Sequence, residues 1–438
     1  MTNAHPRQRT SETEAHGDLL GTDMEPNLPV PRSSDDSRNN LTASAASSKV
    51  SVGDVNGSSG SDGVGIVPGD KNAGEIQPYR FRLGNRPPLT GIRAILLATV
   101  LIYHSNFRTM PGTWVALQVF FVLSGFLITA MLADEGKRNG RISLKRFYSR
   151  RVVRLGPPLL LAVLLLILYS AFVFVPGAEQ RVWQESAAAL FYFEDYRVAF
   201  GREPFLGYFA HTWSLSVEEQ FYVIWSILMV AAVAARRHRL AYWFAGIGVV
   251  LSASDRLWLV YRTHVWTHAA FTRAYNPFDS RADALFLGCI LGLLASDGYL
   301  HAWSRWLVRV LPAAAIASTM FMVWILFEAP LFSRNVILWW MPFSTIATGV
   351  ILMYFVMCPV GRGSRVVGCG FLVYIGNLTY TAYIVHFPVY LIFLPGYDRM
   401  SFWPTMAVRL AITFGIAIAS WHLMEQPLAR WRQRSAAK

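Results

Sequence analysis

Long, unbroken apolar runs are the feature that most constrains how this chain can fold. Hydrophobic residues make up 53% of the 438 residues and charged residues only 15%, against about a quarter in soluble domains. The apolar residues are grouped in runs of membrane length and are not spread at amphipathic spacing. Backbone polar groups in lipid must be satisfied within their own segment, which favours helices. The expected fold is therefore all-α, a polytopic membrane helical bundle of about ten transmembrane helices.

The charges that flank these runs predict their orientation. Arg236, Arg237 and Arg239 follow the fourth run, and Arg362 and Arg365 follow the eighth. Because cytoplasmic loops are enriched in Lys and Arg, we expect both termini in the cytoplasm and a multi-pass plasma-membrane protein. The expected spans lie near residues 92–109, 115–133, 155–175, 217–235, 240–257, 282–298, 306–327, 336–357, 371–394 and 404–424.

Two segments between the spans have distinct predictions. The loop after the second span, which continues to Arg154, is expected to be cytoplasmic because it is strongly basic. Residues 183–200 are partly apolar, but Glu185, Glu194 and Asp195 interrupt them, and a full span there would invert everything that follows. We therefore expect an interfacial or re-entrant helix on the outer side.

The N-terminal region differs in composition from the rest of the chain. Residues 1–80 are rich in Ser, Asn, Asp and Gly, and they cannot bury enough apolar surface to offset the entropy of ordering. We expect a disordered polar cytoplasmic tail without a secretory signal; a tethering or partner-binding role is the alternative to a dispensable one. Residues 81–430 are then the membrane domain, and residues 431–438 a short basic cytoplasmic tail.

Charge and cysteine content argue against two other classes of protein. The net charge of +13 comes from basic residues at the ends of apolar runs, where membrane topology places them, so nucleic-acid binding is not expected. Cys289, Cys358 and Cys369 are too few and too scattered for a zinc site or a disulfide framework. We expect no metal cofactor.

The first span carries an arginine and a histidine on nearly one helix face. His104 follows Arg93 by eleven positions, which at about 100° and ~1.5 Å per residue places it roughly 16 Å further along the same face. This predicts Arg93 near a membrane surface and His104 near mid-depth. A neutral imidazole in a dry pocket can accept a proton from a hydroxyl, with a helix–helix hydrogen bond as the alternative. Arg93 is either an anion contact or a topology anchor.

A dense basic cluster containing Arg150, Arg151 and Arg154 precedes the third span. Arg151 and Arg154 are three residues apart and share a helix face. Guanidinium groups match phosphates bidentately, so a nucleotide-bearing donor such as coenzyme A would suit this cluster. Positive-inside topology explains the charge equally well, but it explains the density less well.

The stretch 211–222, at the start of the fourth span, is the densest polar and aromatic segment. Ser214 or Ser216 is able to cap this helix, with a glutamate three or four residues later as the reciprocal acid. The alternative is a binding wall for a polar acceptor, because aromatic residues crowd the same place. The candidate residues for such a wall are Trp213, Ser216, Glu218, Glu219 and Tyr222.

Three further ionisable residues in apolar surroundings are weaker candidates for substrate binding. Arg281 and Asp283 are two positions apart and point to different sides of a helix, so each is expected to pair with another segment. His386 lies beside Pro388, which frees a backbone carbonyl in the ninth span. Structural pairing and packing are the alternative roles for these residues.

Several of these stretches resemble segments of the integral-membrane acyltransferase-3 family, in order from about residue 90 to 430. The stronger matches are Arg93 with His104, Val-Phe-Phe-Val-Leu-Ser-Gly-Phe-Leu-Ile-Thr at 119–129, Arg151 with Arg154, and Trp-Ser-Leu-Ser-Val-Glu-Glu-Gln-Phe-Tyr at 213–222. Weaker matches are Arg281 with Asp283, His-Phe-Pro at 386–388 and Glu-Gln-Pro at 425–427. Such motifs in order are more specific than any one alone.

The resemblance implies an enzyme that O-acylates hydroxyl groups in a bacterial inner membrane. It implies a ten-helix bundle, acyl-coenzyme A as donor with acetyl as the expected group, and His104 as the essential histidine. The arginines would hold the donor phosphates on the cytoplasmic side. Acceptors of the family include lipopolysaccharide O-antigen, exopolysaccharide, peptidoglycan, lipid-linked sugars and macrolides. Some members carry a fused esterase-like domain, which is not expected here.

The sequence thus leads to one main hypothesis and two rivals. The hypothesis is acyl transfer from acyl-coenzyme A to a glycan or glycolipid hydroxyl, with His104 as general base. The first rival is a transporter or flippase of a glycolipid, in which His104 relays protons. The second is a non-catalytic membrane scaffold. The sequence predicts no particular oligomeric state.

Overall fold

The computed structural model describes residues 86–172, 178–201, 207–302, 304–392 and 402–436. Within these ranges the chain is helical almost throughout and contains no β-strand. The first helices are α1 (Pro87–Ser105), α2 (Trp114–Asn139), α3 (Leu144–Phe172), α4 (Ala178–Leu190), α5 (Glu194–Phe200), α6 (Trp213–Ala234), α7 (Arg239–Arg262), α8 (His268–Tyr275) and α9 (Phe278–Arg281). The others are α10 (Asp283–Ser296), α11 (Tyr299–Ala302), α12 (Ser304–Glu328), α13 (Met341–Met357), α14 (Arg362–Val367), α15 (Gly370–Ile392), α16 (Phe402–Ser420) and α17 (Gln426–Ala436).

The architecture is the expected polytopic helical bundle. Among the described residues, eight segments are long and apolar enough to cross a membrane, against the ten spans expected. The other two expected spans are also helices: α10 has only 14 residues, and α15 contains more polar side chains. Residues 1–85, which include the expected disordered tail, lie outside the described ranges.

The third helix begins earlier than predicted. α3 starts at Leu144, so the basic residues from Lys145 to Arg154 lie on the helix, and the prediction of a loop there is wrong. Lys and Arg are good helix formers, and apolar content alone therefore misplaces this boundary. The consequence for the site is large, because the basic cluster is held on a rigid element.

The first helix ends earlier than predicted. α1 begins at Pro87 and Pro88, where the missing proline N–H groups cost no helical hydrogen bond. It ends at Ser105, and Asn106 leaves it in an extended conformation. His104 therefore lies in the last turn of α1, and its mid-depth position in the membrane stays a prediction.

α1 and α15 run parallel and in close contact. A Cβ atom on Gly376 of α15 would lie 2.2 Å from the carbonyl oxygen of Thr90, so only glycine permits this approach. Further along, His104 contacts His386. We call the end of the bundle where α1, α3 and α15 begin the basic end, and the end where His104 and His386 lie the histidine end.

α2 is the central helix of the bundle and is mostly buried. It packs tightly on α10, where a Cβ atom on Gly288 would lie 2.2 Å from the carbonyl oxygen of Val122. α2 also contacts α6, since Trp225 donates a hydrogen bond to the Thr129 hydroxyl (2.8 Å). These contacts fix the helices that surround the candidate site.

Residues 183–200, for which we predicted an interfacial or re-entrant helix, belong to two short helices. Neither α4 nor α5 is a candidate span. Glu194 and Asp195, at the start of α5, are both fully buried. Arg197 donates a hydrogen bond to Glu194 (2.7 Å), and Gln220 of α6 donates one to Asp195 (2.9 Å). The first contact lies within α5, and the second attaches α5 to α6.

Candidate active site

A cavity of about 840 Å³ lies between α1, α2, α3, α6, α15 and the C-terminal segment. It extends along α2 from Leu117 to Met131, about 21 Å from the helical rise per residue. Ser214 and Tyr383 line it towards the histidine end. The charged residues that line it are Arg93, Arg150, Arg151, Arg154, Arg430, Arg432, Glu218 and Glu425. Six arginines against two glutamates make it a site for an anion.

The arginines of the cavity differ in their partners. Arg151 forms an ion pair with Glu219 (2.8 Å), and its guanidinium lies 3.4 Å from the ring centre of Tyr222. These contacts hold it rigid. Arg93 and Arg154 form no ion pair with any residue that the structure describes. Both therefore present guanidinium groups that remain available to a bound anion.

The two cavity glutamates are held by neutral donors. Glu218 accepts hydrogen bonds from Ser124 (2.9 Å) and from the Tyr222 hydroxyl (3.2 Å). Glu425 accepts hydrogen bonds from Thr381 (2.7 Å) and Ser420 (2.9 Å). Neither carboxylate therefore forms an ion pair with a cavity arginine within the described ranges.

Three histidines meet at the histidine end. The ring of His386 lies 5.0 Å from that of His104 and 5.0 Å from that of His211. His386 Nδ1 lies 2.5 Å from the Tyr383 carbonyl oxygen, and its Nε2 lies 2.9 Å from His104 Nδ1. No group of three or more metal-ligating side chains within the described ranges has the arrangement of a metal site. His104 and His386 lie within hydrogen-bond distance of each other, an arrangement that allows a proton to pass between the two rings.

The hydrogen bonds of His386 determine the tautomer of both rings. A carbonyl oxygen only accepts, so His386 Nδ1 carries the hydrogen and donates it to Tyr383. In the neutral ring His386 Nε2 is then an acceptor, and His104 Nδ1 must be the donor. His104 Nε2 is left with a free lone pair. That atom is placed to accept a proton.

Tyr383 separates the cavity from His104, which does not itself line the cavity. The Tyr383 hydroxyl donates to the His211 carbonyl oxygen (2.6 Å) and accepts a hydrogen bond from Ser214 (2.8 Å). The carbonyl of the same tyrosine accepts the hydrogen of His386. Tyr383 therefore contacts both the arginine-lined cavity and the histidine pair.

Several sequence-predicted residues lie away from the cavity wall. Trp213 is buried against the guanidinium of Arg281, whose Nε and Nη2 atoms have no hydrogen-bond partner within the described ranges. Asp283 forms the expected structural pair, with Arg256 of α7 (2.7 Å). Ser216 accepts a hydrogen bond from the Glu194 N–H (3.1 Å). These residues support the site from behind and do not face it.

The capping alternative for the start of α6 is wrong. The N-cap residue is Thr212, and its side chain makes no capping hydrogen bond. Ser214 is bonded to Tyr383 and Ser216 to α5, so neither satisfies the first turn of α6. The polar residues of this stretch serve contacts between elements.

Sequence reasoning did not predict several residues that the cavity brings together. Tyr380 and Tyr383 come from α15, and Arg430 and Arg432 come from α17, although residues 431–438 were expected to form a tail. The Glu-Gln-Pro stretch at 425–427 was the available signal, since Glu425 and Gln426 line the cavity. α17 continues through the expected tail as far as Ala436.

Comparison with known proteins identifies the family. The model of an acyltransferase domain matches residues 88–424. The chain is 28% identical over 365 residues to the peptidoglycan O-acetyltransferase OatA of Listeria monocytogenes, covering 78% of this chain and 56% of that protein. It is 28% identical over 358 residues to a putative O-acetyltransferase of Staphylococcus aureus, covering 78% of this chain and 57% of the relative. The chain thus spans little more than half the length of these relatives.

The family match and the architecture agree. No solved structure matches this chain. The matched segment begins in α1 and ends in the π-helical turn Trp421–Glu425, so it contains every transmembrane helix that frames the cavity. With more than half of its residues matched by the acyltransferase model, the chain belongs to the membrane acyltransferase-3 family.

Proposed function

We propose that this protein transfers an acyl group, expected to be acetyl, from acyl-coenzyme A to a hydroxyl group of a glycan. One observation carries the proposal. Tyr383 lines the arginine-rich cavity and also contacts His386, which is hydrogen-bonded to His104. The relative in Listeria is by name a peptidoglycan O-acetyltransferase. A peptidoglycan-type glycan is therefore the acceptor that we propose first.

The donor occupies the cavity in this proposal. Its phosphates bind the guanidinium groups near the basic end, Arg93, Arg150, Arg151 and Arg154, because charge-assisted bidentate contacts are the strongest available there. Glu218 and Tyr222 form the wall beside them. The pantetheine arm extends towards Tyr383 and brings the thioester to the histidine end. By the positive-inside rule the donor enters from the cytoplasm.

The chemical step in this proposal is base-catalysed acyl transfer. His104 Nε2 removes the proton of the acceptor hydroxyl, and the hydroxyl oxygen attacks the thioester carbonyl carbon. A C–O bond forms, the C–S bond breaks, and the leaving thiolate takes the proton from His104. His386 keeps the His104 lone pair directed outwards and accepts the hydrogen bond of the transient imidazolium. General-base catalysis of this kind contributes roughly 100- to 10,000-fold to the rate.

The first test is substitution of the proposed base. His104→Ala and His104→Gln are expected to lower acetyl transfer from acetyl-coenzyme A to glycan by about 100-fold or more, measured with purified protein in proteoliposomes. His238→Gln, at an exposed histidine ahead of α7, is the matched control and should retain activity. Retained acetylation in both His104 variants would contradict the proposal. Glycolipid flux without any acetylated product would favour the transporter alternative.

The second test concerns the positioning role of His386. His386→Leu removes the acceptor for His104 Nδ1–H, and we expect kcat to fall about 100-fold while KM for both substrates changes little. His386→Gln retains both an acceptor and a donor and should recover part of the rate. Equal losses in the Leu and Gln variants would contradict a role in fixing the His104 tautomer.

A further inference from the structure

The C-terminal segment builds one wall of the cavity at the basic end. A π-helical turn, Trp421–Glu425, ends α16 and precedes α17. π-helical turns shift the register of the residues that follow and are frequent at functional sites. Here the turn leads into Gln426, Ala429, Arg430 and Arg432, which all line the cavity.

The two arginines of this wall have no acidic partner. Arg430 donates a hydrogen bond to the side-chain oxygen of Gln426 (3.2 Å), and Arg432 donates one to the backbone carbonyl of Arg150 (3.5 Å). Neither forms an ion pair within the described part of the chain. Arg150, Arg430 and Arg432 therefore all line this part of the cavity, and of the three only Arg150 has a carboxylate partner among the described residues, Glu135 at 3.7 Å.

Arg150 and Arg432, which contacts it, lie nearer the start of α3 than Arg154 does. Arg150 precedes Arg154 on α3 by one helical turn, about 6 Å along the axis, and Arg432 contacts α3 at Arg150. The arginine lining therefore extends far enough along the cavity for two successive anion sites. A ligand that fills both must carry two phosphate groups that are separated along the molecule.

We propose that Arg430 and Arg432, with Arg150, bind the ribose 3′-phosphate of the donor, a subsite distinct from the diphosphate site at Arg151 and Arg154. This inference rests on the proposed coenzyme A donor. The thioester must lie near Tyr383, so the nucleotide at the other end of the donor must lie at the basic end. There the 3′-phosphate is the one phosphate group left for the α17 arginines.

The test compares two donors that differ only in this phosphate. For the unmodified protein we expect KM for acetyl-3′-dephospho-coenzyme A to exceed that for acetyl-coenzyme A by about tenfold or more. In the double variant Arg430→Ala/Arg432→Ala, which keeps Arg150, KM for acetyl-coenzyme A should rise towards the dephospho value. KM for the dephospho donor and kcat at saturation should not change. The double Lys variant should give an intermediate KM.

Controls separate the subsite from folding and from the proposed function. Arg434→Ala, on the same helix but outside the cavity wall, should leave both KM values unchanged, and all variants should unfold at the temperature of the unmodified protein. An equal rise for both donors, or no rise, would overturn the subsite. Equilibrium binding of coenzyme A and its dephospho form needs no acceptor. A preference in binding without acetyl transfer would refute the proposed function and leave the subsite standing.

Discussion

Arginines in two regions of this bundle differ in whether the fold pairs them with a carboxylate. Arg256, in the contact between α7 and α10, is 2% exposed and donates hydrogen bonds to Asp283 (2.7 Å) and to the Ser280 carbonyl (2.9 Å). Arg93 and Arg154 line the cavity and have no ion-pair partner among the residues described. A charge removed from water must be compensated. The fold compensates Arg256, whereas Arg93 and Arg154 line the cavity without a carboxylate partner among the described residues.

This difference in ion pairing distinguishes arginines that the fold holds in place from arginines that are free to bind an anion. Both regions contain residues that the sequence marked as candidates: Asp283 in one, and Arg93 and Arg154 in the other. Only the second region leaves guanidinium groups facing open space. Loss of a paired charge should therefore lower stability, and loss of an unpaired one should lower donor binding.

The largest effect on stability is expected at the paired charge. Asp283→Ala leaves the Arg256 guanidinium buried without its carboxylate, which should lower the free energy of unfolding by ~3–5 kcal/mol. Thermal unfolding of the detergent-solubilised protein measures the change. The double variant Arg256→Met/Asp283→Leu removes both charges and should recover most of the loss. An unchanged unfolding temperature in Asp283→Ala would contradict the structural role.

The opposite pattern is expected at the unpaired charge. Arg154→Ala removes no ion pair of the described residues, so the unfolding temperature should stay unchanged while KM for acetyl-coenzyme A rises about tenfold or more. Lys145→Ala, on the same helix but outside the cavity wall, should change neither quantity. A stability loss in Arg154→Ala without a change in KM would show that Arg154 belongs with Arg256.

Local spacing made part of this site predictable. Arg151 and Arg154 were placed on one helix face from their separation alone, and both line the cavity. Helical periodicity is a property of neighbouring residues, and it therefore survives errors in the boundaries of α3. The end of α1 was predicted near residue 109 and lies at Ser105, because apolar content does not show that Asn106 turns the chain out of the helix.

Contacts between distant segments were beyond local reasoning. His104 and His386 are 282 positions apart, and their hydrogen bond depends on the parallel packing of α1 and α15. Tyr383 connects the two regions through hydrogen bonds of both its hydroxyl and its carbonyl group, and their partners lie in segments that local sequence does not bring together. Arg432 was expected in a tail, yet α17 directs it into the cavity. The basic composition of this segment does not show whether it forms a polar tail or a helix that lines the cavity.

A third kind of charge, buried but held only by neutral donors and backbone N–H groups, extends the comparison and predicts a pH dependence. Asp195 of α5 accepts hydrogen bonds from Gln220 (2.9 Å) and from the Phe278 N–H (3.3 Å). Burial nevertheless raises its pKa to about 7. Between about pH 4 and pH 7 the folded protein keeps this proton and the unfolded chain releases it. The free energy of unfolding should therefore fall as pH rises through this range, by at most about 1.4 kcal/mol per pH unit.

Asp195→Asn removes the titrating group and should flatten this part of the pH profile. The measurement is the unfolding temperature in detergent from pH 4.5 to pH 8 for the unmodified protein and the variant. Asp279→Asn is the matched control, since Asp279 pairs with Arg273 (2.7 Å) at a partly exposed position; it should keep the slope of the unmodified protein. If Asp195→Asn keeps that slope as well, another group causes it. A flattened profile would show that a buried carboxylate without a cationic partner limits the stability of this fold at neutral pH.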